Sequence, residues 1–177
     1  MKIDPSFYEY NLKNDLEKIN IIFLHGTNLG LVDLLYKKTL ELLEINLNDP
    51  FSVSKIDGSE FKDNPSVLHD NINTLSIFSE KRYILLDLMH ISMNKNLEGI
   101  ILETVKTENE NYLLLIKATH LKIGYFVKYF QNIKNAFLVP CYEEKINIIH
   151  SKLTDLFSKH KINFKEDIIK SLMLKLS

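Results

Sequence analysis

One cysteine and one arginine, Cys141 and Arg82, are all that this 177-residue chain has of either type. A lone thiol cannot build an intrachain disulfide framework, so the fold must rest on buried apolar surface, which suits a reducing compartment. A lone guanidinium leaves at most one place for planar, bidentate recognition of phosphate or carboxylate. Excess charge is lacking too: 22 Lys+Arg stand against 23 Asp+Glu, for a formal charge of −1. No broad basic surface for gripping a nucleic-acid backbone follows from that balance, although a local strip fits within it. No run approaches 18 apolar residues, which excludes a membrane-spanning helix. The opening "MKIDPSFYEYNLKND" has no apolar core of the signal-peptide kind. A cytoplasmic protein is the expectation. Signatures of metal and hydrolase chemistry are also missing. Histidines 25, 69, 90, 120, 150 and 160 fall at no ligand spacing, no H-E-x-x-H or G-x-S-x-G occurs, and nothing suggests a positioned His for Cys141.

What is present is a sizeable apolar fraction, 45%, arranged as short apolar runs that alternate with segments of helical period. That alternation is the mark of an α/β domain with a mainly parallel sheet. "INIIFLH" (19–25) reads as a strand buried on both faces, "FSVSKIDG" (51–58) as a second strand near an edge, and "RYILLDL" (82–88), "YLLLIKA" (112–118) and "AFLVP" (136–140) as three more. Between them lie predicted helices. One follows His25 and sets Leu31, Leu34, Leu35, Leu42 and Leu43 on one side, with Asp33 and Lys37 spaced for an i,i+4 pair. Another spans 63–75, with Asn64 as cap and Pro65 at the first helical position. Two more cover 94–106, with Leu97, Ile100, Ile101 and Val105 inward, and 123–133. After Cys141 the alternation stops. Residues 142–177 carry Ile146, Ile149, Leu153, Leu156 and Phe157 at helical spacing, then "KINF", then a second stripe with Ile168 and Ile169. Two such helices cannot close a core alone. The expected division is therefore a 1–141 α/β domain and an incomplete helical domain over 142–177.

The turn "HGTNLGLVD" after the first strand looks like a phosphate-gripping loop, whose pattern is G-x-x-x-x-G-K-[ST]. Counted from Gly26, the second Gly, the Lys and the Ser/Thr fall on Leu31, Val32 and Asp33. The loop is degenerate. Gly26, Thr27, Asn28 and Gly30 keep its outline, but the phosphate and Mg²⁺ ligands are lost, and no nucleotide binding is expected. Asp87, at the end of "YILLDL", stands where such ATPases place a Mg²⁺-organising carboxylate. The following residue is Leu88, so no base orients water, and Asp87 reads as a turn-former. In "NTLSIFSEKR" (73–82) the pair Ile77-Phe78 lies between a helix and a strand, among polar residues. It fits either a core role beneath the sheet or an exposed apolar plug for a partner's pocket.

The order of these pieces resembles the N-terminal part of the delta subunit of the bacterial DNA polymerase III clamp loader. The resemblance is carried by "IIFLHGTNLGLVDLL", "DPFSVSKIDGSEF", "NTLSIFSEKRYILLDL", "NYLLLIKATHLKI", "AFLVPCYEEK" and "HKINFKEDIIKSL". It implies an AAA+ fold, a P-loop-like parallel sheet flanked by helices, followed by the start of a small helical lid. It also implies no ATP hydrolysis by this subunit, and so no cofactor, within a polymerase holoenzyme whose other clamp-loader subunits handle ATP; the residues themselves offer no metal site. By the same resemblance the sliding clamp (beta subunit) is the partner, and a plug formed by Leu75, Ser76, Ile77 and Phe78 contacts it, so that the ring can be placed on primed DNA. Ile77 replaces a Leu of that plug, and Asn73 falls where a Gln is common. The chain is expected to end within the lid, short of the helical collar that holds the loader together. Two rival readings remain: an active P-loop NTPase or nucleotide kinase, and a flavodoxin- or receiver-like α/β binding domain.

Overall fold

The computed structural model describes residues 1–74, 81–106, 109, 111–119, 121 and 124–143, and beyond these residues 154, 157–160, 162, 168 and 171. Among them, five strands form one parallel sheet: β1 (Ile21–His25), β2 (Val53–Asp57), β3 (Arg82–Leu88), β4 (Tyr112–Ala118) and β5 (Ala136–Pro140). The strand order is β2-β3-β4-β1-β5, with every pair parallel. Sequence and structure agree residue for residue on β3, β4 and β5. β2 is an edge strand, as its apolar-polar alternation suggests. β1 lies between β4 and β5, whereas a flavodoxin-like sheet of order 2-1-3-4-5 sets β1 beside β2. The receiver-like reading therefore fails on topology.

Helices cover both faces of the sheet, so each strand sends alternate side chains into two cores. One core joins Ile21, Phe23, Ile84, Leu86, Leu114 and Ile116 to the inward faces of α3 (Gly58–Asp63), α4 (Ser66–Asn73), α5 (Lys95–Thr104) and α6 (Tyr125–Asn132). Phe23 meets Phe126 and Phe130 edge-on, with ring centroids 5.7 and 5.1 Å away, an arrangement that adds to simple burial. The other core joins Ile22, Leu24, Leu85, Leu113, Leu115 and Phe137 to α1 (Tyr8–Asp15) and α2 (Leu29–Leu42). Facing two cores at once, β1 is buried along its whole length. The free edge of β5 is partly covered, because Ile3 N donates to the Leu138 carbonyl and Leu138 N to that of Met1, each at 2.8 Å.

Some expectations are corrected. α2 buries Val32, Leu35 and Thr39, while Leu34 is 50% exposed. Asp33 pairs with Lys117 of β4, not with Lys37. α4 begins one residue later than its sequence suggests. Pro65 occupies the cap position, and the Asn64 side chain accepts from the Ser66 hydroxyl at 2.8 Å instead of from a helix N–H. α1 and α3 have no counterpart in the sequence reading.

The chain divides into two compact units, Met1–Tyr142 and Glu143–Ser177. In the second, residues 157–159 are helical and Ile162 N donates to the Phe157 carbonyl at 2.9 Å. Ile168 is exposed. Ile146, Ile149, Leu153, Leu156 and Ile169 of the predicted stripes lie outside the described residues.

Candidate functional site

Two places at the carboxyl ends of the strands, and a third at the amino end of β3, gather the residues that the sequence singles out. The first is the β1–α2 turn. Gly26 has φ +155°, a conformation that L side chains rarely adopt, and a Cβ there would stand 1.8 Å from the Cys141 carbonyl oxygen. That oxygen accepts from Asn28 N at 3.0 Å, while Cys141 N donates to the His25 carbonyl at 2.6 Å. The residue that follows β5 thus packs directly against the turn. The first N–H groups of a helix are what a phosphate cradle offers; here Leu29 N donates to the Thr27 carbonyl at 3.1 Å, and Leu31 N to the Asn28 side chain at 3.0 Å. Asn28 acts as a helix cap. Val32, where the phosphate-binding lysine would be, is buried in the core. Gly30 meets nothing closer than the Asn28 side-chain oxygen at 3.6 Å. Gly26 is required by the packing and Gly30 is not. The N–H groups of Asn28, Leu29 and Leu31 are thus engaged within the chain, and the Cys141 carbonyl stands against Gly26.

The second place is a charged row at the strand ends. Parallel register sets Asp57 beside Asp87, and Asp87 beside Lys117. Asp57 caps α3 by accepting from Ser59 N at 2.8 Å. The Asp87 Oδ1 accepts from Met89 N at 3.0 Å, the turn-forming role read for it. Its Oδ2 lies 2.9 Å from Lys117 Nζ. The same ammonium is 3.7 Å from Asp33 and 5.0 Å from the centre of the Tyr36 ring, both on α2. The Lys117 side chain is only 18% exposed. Burial opposes its charge, but the hydrogen bond and charge of Asp87, with smaller help from Asp33 and Tyr36, outweigh that, and its pKa is raised. Asp57, Asp87, Lys117 and Tyr36 line a cavity of about 210 Å³ together with Lys55 and Ile56. Lys117 was missed from sequence. Its signal was a single cation inside the apolar run "YLLLIKA".

The third place flanks residues 75–80. Arg82 Nη2 donates to Ser54 Oγ at 2.8 Å and to Asn71 Oδ1 at 3.2 Å, and its Nη1 to the Phe51 carbonyl at 3.3 Å. The one arginine therefore joins β2, α4 and β3. Lys81 Nζ donates to the Ile19 carbonyl at 3.0 Å, and Asn109 to that of Ile72 at 2.5 Å. Asn73 donates to the His69 carbonyl of its own helix at 3.0 Å. Both borders of the segment are thus bonded into the domain. Leu75, Ser76, Ile77 and Phe78 themselves lie outside the described residues. No group of three or more His, Cys, Asp or Glu side chains is placed to hold a metal among the described residues, nor is any helix there long and apolar enough to cross a membrane.

No family model matches the sequence, and no curated protein matches it either. Solved structures do match. The DNA clamp loader delta protein of Bacillus subtilis superposes with a TM-score of 0.64 at 14% identity, over 96% of this chain and 52% of that one. A DNA polymerase III gamma subunit-related protein from Thermotoga maritima gives 0.51 at 13% identity, over 86% and 52%. This chain spans about half the length of each. At such identities the likeness is one of fold: an α/β domain with a helix-flanked parallel sheet, resembling the AAA+-like architecture of clamp-loader proteins.

Proposed function

We propose that this chain is a non-catalytic, delta-type clamp-loader module that binds a sliding clamp through Leu75, Ser76, Ile77 and Phe78. The observation that carries the reading is the fold likeness to the Bacillus subtilis clamp loader delta protein over 96% of the chain. The segment "LSIF" supports it from sequence, since it pairs a small polar residue with two large apolar ones between anchored borders. Burying Ile77 and Phe78 in a partner's pocket contributes about 3 to 6 kcal/mol before association costs.

Ring opening then needs no hydrolysis by this subunit. A module that binds the opened clamp about 1.4 kcal/mol better than the closed one raises the open population tenfold. Other loader subunits supply the ATP-dependent steps, and primed DNA is the substrate of the assembly. The N–H groups of Asn28, Leu29 and Leu31, engaged within the chain, accord with a module that works without nucleotide, and no observation favours the NTPase reading.

Calorimetry of the chain against the sliding clamp of its own organism, beside Phe78→Ala, tests the proposal. Binding is expected for the parent and a loss of at least about tenfold for the variant, with circular dichroism unchanged. Equal binding by both would assign the contact to another surface, and no binding by either would remove the proposal's support. ATP–Mg²⁺ titrated into the same protein is expected to give no heat of binding.

A further inference from the structure

We propose that Lys117 is the domain's resident cation, standing between the two positions that hold a metal ion in phosphate-loop ATPases and fastening α2 to the sheet without any ligand. In those enzymes Mg²⁺ is held by the hydroxyl residue of the loop and by the aspartate at a strand end. Counted along the loop pattern, the hydroxyl position is Asp33, and the strand-end aspartate is Asp87. Both still present oxygen, and both converge on Lys117 Nζ, at 3.7 and 2.9 Å. The cation between them is now covalently part of β4.

The geometry makes this more than a surface ion pair. Asp87 and Lys117 belong to adjacent strands, while Asp33 and the Tyr36 ring come from α2, so one ammonium ties helix to sheet. The helix start beside it is closed by Asn28 and by the Cys141 carbonyl. In a nucleotide-dependent relative, cradle and metal are completed by the ligand; here Asn28 and the Cys141 carbonyl engage part of the cradle, and Lys117 stands between the two metal positions. The inference stands on these contacts and does not depend on clamp binding.

Lys117→Met keeps the apolar stem and removes the charge, leaving Asp33 and Asp87 uncompensated. Its thermal midpoint should fall by roughly 5 to 10 °C. Millimolar Ca²⁺ or Mg²⁺, hard ions that take oxygen ligands, should restore at least half of that loss, beyond the effect of NaCl at equal ionic strength. The parent should show no such response, and adding Asp87→Asn to Lys117→Met should abolish it. An unchanged midpoint, a loss that divalent ions do not repair, or an equal response by the parent would each overturn the proposal. A measurement on the intact protein covers failure of the variant to fold. In ¹⁵N-lysine spectra one ammonium, absent from Lys117→Arg, should exchange slowly with water in the parent and rapidly in Asp87→Asn. A parent Lys117 exchanging as fast as the surface lysines would refute the tether.

Discussion

Gly26 and Gly30 belong to one turn and look interchangeable in the pattern that picks them out, yet the packing gives them opposite roles. A methyl group at Gly26 would lie 1.8 Å from the Cys141 carbonyl oxygen and 2.3 Å from its carbon, both backbone atoms, at a φ of +155°. Neither partner can give way, because Cys141 is bonded to His25 and Asn28. Gly26→Ala should therefore cost at least about 4 kcal/mol, enough to leave a marginal domain largely unfolded at 37 °C. At Gly30, in the first turn of α2, the added methyl makes only an ordinary van der Waals contact with the Asn28 side-chain oxygen at 3.6 Å. Gly30→Ala should stabilise by about 0.5 to 1 kcal/mol through helix propensity and lower unfolded-chain entropy. Urea denaturation of the two variants checks the contrast, and equal effects would contradict the account of the turn. Spacing alone shows that a turn is there; the atom that stands against Gly26 comes from Cys141, just after β5 and more than a hundred residues later. Lys117 has the same lesson, since its meaning depends on Asp33 and Asp87 reaching it from other elements.

At the scale of elements, β3, β4 and β5 were fully legible because a parallel strand buried on both faces reads as an unbroken apolar run between polar stops. The helices were less so. α1 buries only Tyr8 and Leu12, and α3 only Gly58 and Phe61, too little periodicity to stand out from loop. α2 has so many apolar residues that several stripes fit it, and tertiary contact decides among them: Thr39 faces inward to hydrogen-bond Tyr8 and the Leu35 carbonyl, while Leu34 faces water. An exposed i,i+4 pair is worth only about 0.3 to 0.5 kcal/mol, so Asp33 could give up Lys37 for the half-buried Lys117 at little cost. The caps also carry a prediction. Asn28 and Asn94 each accept from the N–H three residues on, at 3.0 Å, opening α2 and α5. Asn28→Ala and Asn94→Ala should each cost about 1 kcal/mol, a fall of about 2 to 4 °C in thermal midpoint. A scanning calorimeter resolves that, and a null result at Asn28 would mean that the Cys141 contact alone holds the helix start.

For the whole molecule, alkaline pH probes how tightly the first unit is closed. Burial pushes the Cys141 thiol from its ordinary value of 9.0 up to about 12, and the Tyr112 phenol from 10.0 up to about 12. Both groups are neutral when protonated, and the folded state holds those protons more tightly than the unfolded chain. Their contribution is therefore fully present below pH 9 and is lost as pH rises from about 9 towards 12. Stability measured by urea should decline across that window, and Cys141→Ala should flatten the start of the decline. Cys141 also serves as a clock for opening, being the only thiol in the chain, fully buried, and placed where β1, β5 and α2 meet. A disulfide reagent needs the exposed thiolate, so the thiol must first leave its site. If the turn, β5 and α2 open together, labelling at pH 8 should be at least about a hundredfold slower than in the denatured chain, and its logarithm should rise with urea at the slope of global unfolding. Fast labelling with little urea dependence would instead reveal a local opening at the β1–α2 turn. Repeating the assay with Lys117→Met separates the two fastenings of α2. Acceleration that follows the loss of global stability assigns Lys117 to the whole unit, and acceleration beyond that loss assigns it to the turn.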